Sequence, residues 1–247
     1  MATLADLMVK IGIDSDGVTK GTGEIESRFQ KTWGRVKAGA AVAGAGIGLA
    51  LAAGAMSGLE QSKLQGVLAA QLGAGPAEAA ALGKLSGELY ADGFGADMPA
   101  VTSAIRAAAQ SGLVDVTRAA DATSKATVEK LLTVGQVLEE DTSRVTAAVS
   151  TMLRTGMAKS AEDAMDLLVA ATQRGANKSE DLLDTMEEYS TLFRSLGLDG
   201  PTSLGLISQA LAGGARNADI AADAIKEFGI KAIDGSKGAR DAYKLLG

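Results

Sequence analysis

The sequence predicts an all-α protein, mainly a helical bundle or stack, preceded by one short β-strand. Hydrophobic residues make up 47% of the 247-residue chain but aromatic residues only 3%, so the apolar mass consists largely of Ala, Leu and Val, and only three prolines interrupt it. A composition dominated by small and unbranched apolar side chains favours closely packed helices over a β-sandwich or barrel. An apolar spacing of three and four residues, which begins near residue 22, indicates the same class.

Composition also excludes several kinds of chemistry. The chain has no cysteine and no histidine. Disulfides, thiol catalysis, imidazole acid–base catalysis and Cys or His metal sites are therefore excluded, and we expect no enzyme activity and no cofactor. Residues 1–40 contain six basic and five acidic residues, so their net charge is +1. The rest of the chain has 18 basic and 25 acidic residues and a net charge of −7. An acidic body repels phosphate backbones, so specific nucleic-acid binding is not expected.

The side chains near the start of the sequence alternate with a period of two residues. Val9, Ile11 and Ile13 alternate with Met8, Lys10 and Gly12, a pattern that predicts a short strand. The following Asp-Ser-Asp-Gly stretch is typical of a turn. It starts like a calcium-binding loop, but its glycine comes at position 4 where position 6 is required, so we interpret it as a plain turn.

An amphipathic helix is predicted next. Ile25, Phe29 and Trp33 recur every four residues, while charged side chains occupy mainly the other faces. These three residues are the candidates for anchoring the helix to a partner. Strand and helix together form the first predicted domain, residues 1–37.

Residues 38–59 read AGAAVAGAGIGLALAAGAMSGL and contain no charged residue. As a helix they would span roughly 33 Å, close to the ~30 Å bilayer core. Their Ala and Gly content weakens the drive for insertion, whereas two G-x-x-x-G spacings permit close helix packing. A permanent membrane span, a tight helix–helix seam and a helix that enters a membrane only on release all remain open. The candidate packing or membrane-contact residues are Gly44, Gly48, Gly54, Gly58, Leu49 and Leu51.

One long helix, beginning near Thr22, is predicted to include this segment and to end near Leu72. Residues 38–72 form the second predicted domain, an Ala/Gly-rich connecting segment. The glycine triplet within it, at residues 44–48, lacks the spacing and the preceding strand of a nucleotide-binding loop.

The third predicted domain, residues 73–247, is acidic and consists of short helices separated by glycine stops. Acidic groups such as Glu139-Glu140-Asp141 and Glu187-Glu188 are interpreted as solvated positions on polar helix faces or at helix starts, and not as catalytic pairs. The predicted helices include one after Pro76 with Leu82, Leu85 and Leu89 inward and one capped by Asp97 that carries the apolar residues Val101, Ile105 and Ala108. The others are residues 121–138, residues 142–154, two capped by Ser160 and Ser179, one from Thr202 to Gly213, one from Ala218 to Phe228 capped by Asn217, and residues 236–246.

These features together resemble bacteriophage tail tape measure proteins. The opening LMVKIGIDSDGVTKGTGEIESRFQKTWGRVKAGAAVAGAGIGLA is similar to their N-terminus, and SAEDAMDLLVAATQRGANKSEDLLDTM, LGLDGPTSLGLISQALAGG and ADIAADAIKEFGI are similar to their helical core domain. The resemblance extends from about Leu4 to about Ile233. Tape measure proteins generally also carry long coiled-coil segments, and no sustained heptad run is present here, so we expect this sequence to be the N-terminal and core part of such a protein.

The resemblance implies a structural protein that lies in several parallel copies inside the tail tube, sets the tube length during assembly and is released at DNA ejection. Its implied partners are other copies of itself, the tail tube protein, tail assembly chaperones and tail tip proteins, with the host membrane as a further partner on ejection. The implied location is the virion, after assembly in the host cytoplasm. The alternative from a different class is a membrane-active, pore-forming or toxin-like helical protein.

Overall fold

The computed structural model describes residues 58–246, with side chains described from residue 63 to residue 245. Within that range the chain forms ten α-helices and one 3₁₀ turn and has no strand, which confirms the helical class for this part of the chain. The helices are α1 (Gly58–Leu72), α2 (Pro76–Ala91), α3 (Met98–Gln110), α4 (Ala122–Leu138), α5 (Thr142–Thr155), α6 (Ala161–Gln173), α7 (Leu182–Ser195), α8 (Gly200–Ala212), α9 (Ala218–Ile233) and α10 (Lys237–Leu246), with the 3₁₀ turn Val116–Arg118 between α3 and α4.

The predicted N-terminal strand, the amphipathic helix and most of the Ala/Gly-rich segment lie outside the described residues. The first described residues belong to the segment predicted to form the long helix. α1 ends at Leu72, where that helix was predicted to stop. The domain boundaries predicted after residues 37 and 72 stay predictions.

The described residues fall into two compact units that divide between Ser150 and Thr151, inside α5. In the first unit α1 packs on α2 and α3, and α4 packs on α2 and α3. In the second unit α6 packs on α8, α7 packs on α9, and α8 packs on α9. Contacts between alternate helices therefore recur in both units, as they do where helix pairs stack on one another.

The core follows the predicted apolar stripes. Leu82, Leu85 and Leu89 of α2 are buried, as are Val101 and Ile105 of α3. Each of these positions was predicted from spacing alone to face inward. The confirmation shows that the periodicity of three and four residues is the physical determinant of these helices.

Nearly every helix ends in the same kind of corner. At the end of α2, the N–H of Phe94 donates to the carbonyl oxygen of Leu89 (3.0 Å), and the N–H of Gly93 donates to that of Tyr90 (3.0 Å). Gly93 adopts a left-handed backbone with φ +86°. This bond pair defines the Schellman motif, which satisfies carbonyl groups that the helix leaves without partners.

The same bond pair closes eight helices of the described range, α1 to α8, at corner residues that follow one another at intervals of 17 to 27 residues. Left-handed backbone is sterically easy only for glycine, which explains the regular glycine stops of the sequence. The corner residues are Gly73, Gly93, Gly112, Glu139, Gly156, Gly175, Gly197 and Gly214.

Helix starts are set by side-chain caps. The carboxylate of Asp97 accepts a hydrogen bond from the N–H of Ala100 (2.8 Å), and the hydroxyl of Ser160 accepts one from the N–H of Asp163 (3.1 Å). The Asn217 side chain accepts one from the N–H of Ile220 (3.0 Å). All three caps were predicted, because short polar side chains satisfy the free N–H groups of a first turn.

The predicted cap at Ser179 is wrong. α7 begins at Leu182, and the N–H of Leu182 donates to the Asn177 side chain (3.1 Å). Glu180 has a left-handed backbone with φ +57°, which prevents a helix from passing through it. The Ser179 hydroxyl donates instead to the carbonyl oxygen of Arg216 (3.4 Å), in the loop before α9.

Two predicted boundaries also shift. α8 begins at Gly200 and not at Thr202, because the Asp199 carboxylate accepts from the N–H of Thr202 (2.9 Å) and Pro201 fits the first turn. α9 continues past Phe228 to Ile233, since no left-handed residue occurs there before Gly235.

Glu139 is the one corner residue of α1 to α8 that is not a glycine, and its φ is +58°. Substitution Glu139→Gly should raise the free energy of unfolding by about 0.5–1 kcal/mol, because the relief of left-handed strain exceeds the added backbone entropy of the unfolded chain. Urea denaturation monitored by circular dichroism measures the change. The matched control, Glu188→Gly, lies on the exposed face inside α7 and should lower stability by about 1 kcal/mol. Loss of stability in both variants would contradict the corner's role.

Asp141 precedes α5, and its carboxylate accepts from the N–H (2.7 Å) and the hydroxyl of Ser143 (2.6 Å). These two hydrogen bonds, the side-chain one first, lower the pKa of Asp141 from its ordinary value of 3.8. The ionised cap therefore contributes stability above pH 3.8 and loses it as the pH falls through the lowered value. Asp141→Ala should cost about 1 kcal/mol at pH 7 and less in acid. Urea titrations at several pH values test this, with the exposed Glu188→Ala as control; a cost independent of pH would refute it.

Candidate functional site

The second unit is organised around two helices that run in the same direction. At the beginning of α9, the N–H of Asp219 donates to Oδ2 of Asp181, the residue that precedes α7 (3.0 Å). Near their ends, a methyl group placed on Gly229 of α9 would lie only 2.6 Å from Cδ2 of Leu196, which follows α7. The two helices are in contact both at their N-terminal ends and near their C-terminal ends, so α7 and α9 pack side by side in parallel.

Acidic side chains border this pair. Tyr189 of α7 is 6% exposed and stacks on Phe193, with ring centroids 6.1 Å apart. Burial raises the pKa of Tyr189, and the negative charges of Asp219, Glu188 and Asp223 raise it further. The tyrosine is thus held protonated as a buried packing residue.

Close backbone contact joins α8 to the loop before α6. The N–H of Gly200 donates to the carbonyl oxygen of Met157 (3.2 Å). A methyl group on Gly200 would lie 2.2 Å from that oxygen and 3.0 Å from Cδ1 of Leu167. Only glycine permits this approach, and the contact sets where α8 begins against α6.

A shallow apolar cleft lies between α6 and α8. The space that it offers to a water-sized sphere is about 10 Å³, about enough for one water. Small-molecule sites usually need about 300 Å³ or more. The cleft is lined by Leu167, Ala170, Ala171, Arg174, Pro201, Leu204, Gly205 and Ser208.

The largest exposed apolar side chains of the second unit lie on α9 and α10. Ile233 is 75% exposed and Leu245 is 89% exposed. The two helices are tied by the hydroxyl of Tyr243, which donates to the carbonyl oxygen of Ala232 (2.9 Å). We call Phe228, Ile230, Ile233, Tyr243 and Leu245 the α9–α10 surface. These exposed apolar side chains are the feature of this unit that best fits a binding role.

The acidic pairs do not assemble a catalytic site. Glu187 and Glu188 are exposed, as predicted. Glu140 differs from prediction, because its side chain is only 5% exposed and is paired with Arg144 one helical turn later. Among residues 58–246 no group of three or more Asp or Glu residues is placed to hold a metal ion.

Most sequence-predicted site residues lie outside the described part of the chain. This holds for the partner-anchor candidates Ile25, Phe29 and Trp33 and for the packing candidates Gly44, Gly48, Gly54, Leu49 and Leu51. Gly58 is the first described residue and lies in α1. Among the described helices none combines the length and apolar character that crossing a bilayer requires.

The sequence interpretation missed the α9–α10 surface. A signal for it was present: Ala239, Ala242 and Tyr243 follow helical spacing in the last predicted helix. Spacing alone does not tell whether such a stripe is covered, and only the structure shows it exposed.

A model of the family of phage-related minor tail proteins matches residues 91–247, which is more than half of the chain. The chain therefore belongs to the family of phage-related minor tail proteins. It is also 41% identical over 199 residues to a protein described as a probable tape measure protein of Streptomyces phage phiC31. This confirms the predicted resemblance to tape measure proteins. The matched region covers 81% of this chain and 27% of the relative, so the chain spans about a quarter of that relative's length. No solved structure matches this chain significantly.

Gly200→Ala should lower the free energy of unfolding by about 1–3 kcal/mol, because the new methyl group would collide with the Met157 carbonyl and force α8 away from α6. The matched control is Gly66→Ala in α1, where a methyl group would meet nothing within 4 Å. That change should raise stability by up to about 1 kcal/mol. Thermal and urea unfolding of both variants measure the difference, and equal effects would show that the close contact is unimportant.

Proposed function

We propose that this chain is a structural, non-enzymatic component of a phage-type tail, where it acts as the N-terminal and core part of a tape measure protein. In this role it resides in the virion, inside the tail tube, contributes to setting the tube's length and leaves the tube at DNA ejection. The observation that carries the proposal is the match to the minor tail protein family together with 41% identity to a probable tape measure protein.

The arrangement of short helices and fixed corners supports a structural role. Each Schellman corner uses backbone hydrogen bonds and a left-handed residue, so the direction of the chain changes at defined positions. Because the corners are fixed, a helical stack of this kind keeps a constant length and width. In the proposed mechanism, length is measured by geometry: the protein determines how far the tube polymerises before a terminator caps it.

The proposed partners are other copies of the chain, the tail tube protein, the tail assembly chaperones and the tail tip proteins. Ile25, Phe29 and Trp33 would anchor the N-terminal helix to one of them, and the glycines at 44, 48, 54 and 58 would pack neighbouring copies together. Assembly would take place in the host cytoplasm. Entry of residues 38–59 into the host membrane on ejection is a further part of the proposal.

The pore-forming alternative gains no support from the residues that the structure describes, and no observation there favours it. The two functions differ in where the protein is found. A tail component copurifies with tube subunits from phage particles, whereas a pore-former partitions into membranes or detergent.

The proposal is tested in the phage that encodes the full-length protein. In-frame deletions in the full-length gene should shorten the tail in proportion, by up to about 1.5 Å per deleted helical residue, as measured by electron microscopy of purified particles. A control phage carries Glu139→Gly, which changes no length and should leave the tail length unchanged. Tails of normal length in the deletion series, or absence of the protein from purified tails by mass spectrometry, would overturn the proposal.

A further inference from the structure

We infer that, in the unassembled chain, residues 22–37 dock on α9 of the same chain and run antiparallel to it. The docking site consists of Ile220, Ala224 and Phe228, which we call the α9 stripe. The inference goes beyond the proposed function, which supplies only the partner that would later displace residues 22–37 and take over their anchor side chains. The docking itself is a property of the isolated chain.

The α9 stripe is a row of apolar side chains that the described chain leaves partly open to solvent. Its members follow one another every four residues, so they share one side of the helix. Ile220 is 39% exposed and Phe228 is 37% exposed, and Ala224 between them is exposed as well. The stripe lies on α9 alone, outside the buried face of that helix. That buried face consists of Ala218, Ala221, Ala222, Ile225 and Gly229.

Residues 22–37 carry an apolar row of the same spacing. Ile25, Phe29 and Trp33 also follow one another every four residues, in the stretch that the sequence predicts as an amphipathic helix. These residues lie outside the described part of the chain. Covering two aromatic rings and an isoleucine with the α9 stripe would supply the driving force for docking, because each of these side chains removes a large apolar area from water.

A row of basic side chains accompanies the apolar row of residues 22–37. Arg28, Lys31 and Arg35 are spaced by three and four residues, so in a helix they share one side. Residues 27–59 contain no acidic residue. The predicted helix therefore has a positively charged edge next to its apolar face.

Acidic side chains accompany the α9 stripe in the same way. Asp219, Asp223 and Glu227 are spaced by four residues along α9. Lys226 lies among them and pairs with Asp223 (2.8 Å), which offsets part of their charge. Residues 180–193, which include most of neighbouring α7, add five acidic residues and no basic residue. A face with this charge attracts a basic segment and repels nucleic acid.

The order of the rows determines the direction of docking. When each helix is viewed from its N-terminus, the apolar row follows the charged row in the same rotational sense. Two right-handed helices that face each other then match both rows only if they run antiparallel. Trp33 would lie opposite Ile220, and Ile25 opposite Phe228. Burial of the apolar rows gives the affinity and the opposite charges fix the orientation. The charge pairs that this register brings together are Arg28 with Glu227, Lys31 with Asp223, and Arg35 with Asp219.

The segment before α1 is long enough to let residues 22–37 fold back. Residues 38–57 would reach up to roughly 66 Å when extended. Five of them are glycines, each of which makes a helix less stable by roughly 1 kcal/mol relative to alanine. Docking on α9 requires that the long helix predicted from the sequence bends within this segment, where the glycines make bending easiest.

Trp33 is the only tryptophan of the chain, so the fluorescence of the full chain reports on docking directly. In the wild type, Trp33 should emit at short wavelength and be protected from quenching by acrylamide. Ile220→Glu and Phe228→Glu should each shift the emission to longer wavelength and raise the quenching to that of the urea-unfolded chain. The matched control is Val67→Glu on α1, a residue 48% exposed, which should change neither. Circular dichroism of all variants confirms that the helices are retained.

A charge reversal tests the predicted pairing. Arg28→Glu and Glu227→Arg should each expose Trp33 to acrylamide, and the double variant should restore most of the protection. Added salt should weaken docking in the wild type, since it screens charges at the surface. The protection should stay constant over roughly 0.1–10 µM protein, because a contact within one chain does not depend on concentration.

Cysteine pairs test the direction, since the chain has no cysteine of its own. Ile25→Cys combined with Phe228→Cys should form a disulfide within one chain, identified by peptide mass mapping. Ile25→Cys combined with Ile220→Cys should not, because Ile220 lies about 12 Å further along α9, beyond the reach of a disulfide.

Several outcomes would overturn the inference. One is a Trp33 that is open to acrylamide in the wild-type chain. Protection that persists in both α9 variants would place residues 22–37 elsewhere, and protection that rises with protein concentration would place them on another copy. Failure of the double charge reversal to restore protection would also count against it. Tail-length results test the proposed function separately, because the fluorescence is measured without the phage.

Discussion

The described fold depends on one backbone constraint: eight of its ten helices end at a residue that adopts a left-handed conformation. An α-helix leaves four carbonyl groups without partners at its end, and the Schellman bond pair satisfies two of them by reversing the sign of φ. A side chain on that residue meets its own backbone, so glycine recurs at these corners. The helix lengths, the short loops and the contacts between alternate helices all follow from where the corners fall.

A few contacts between residues outside the corners determine how the helices pack on one another. Gly200 brings α8 onto the Met157 carbonyl, and the Asp181 carboxylate ties the start of α9 to the start of α7. A buried tyrosine and the close approach of Leu196 to Gly229 complete the parallel pair. Small residues at the points of contact let the helices approach, which explains a chain rich in Ala and Gly and poor in aromatic side chains.

This architecture suits a protein that acts through its dimensions and surfaces. The described residues provide a shallow cleft with room for about one water and no candidate metal cluster, whereas they expose large apolar side chains on α9 and α10. The chain belongs to the family of phage-related minor tail proteins.

The sequence by itself determined the helical class, most helix boundaries, the buried stripes of α2 and α3 and the caps at Asp97, Ser160 and Asn217, because these depend on local spacing and on hydrogen bonds within one turn. It also carried the family resemblance. It did not determine that Ser179 fails as a cap, since this depends on the left-handed Glu180 and on a carbonyl group 37 residues away. Nor did it separate an apolar stripe that is covered from one that is exposed. Only the tertiary structure decided that Ile233 and Leu245 face solvent, because burial depends on which other helices reach a surface, and helical spacing carries no information about them.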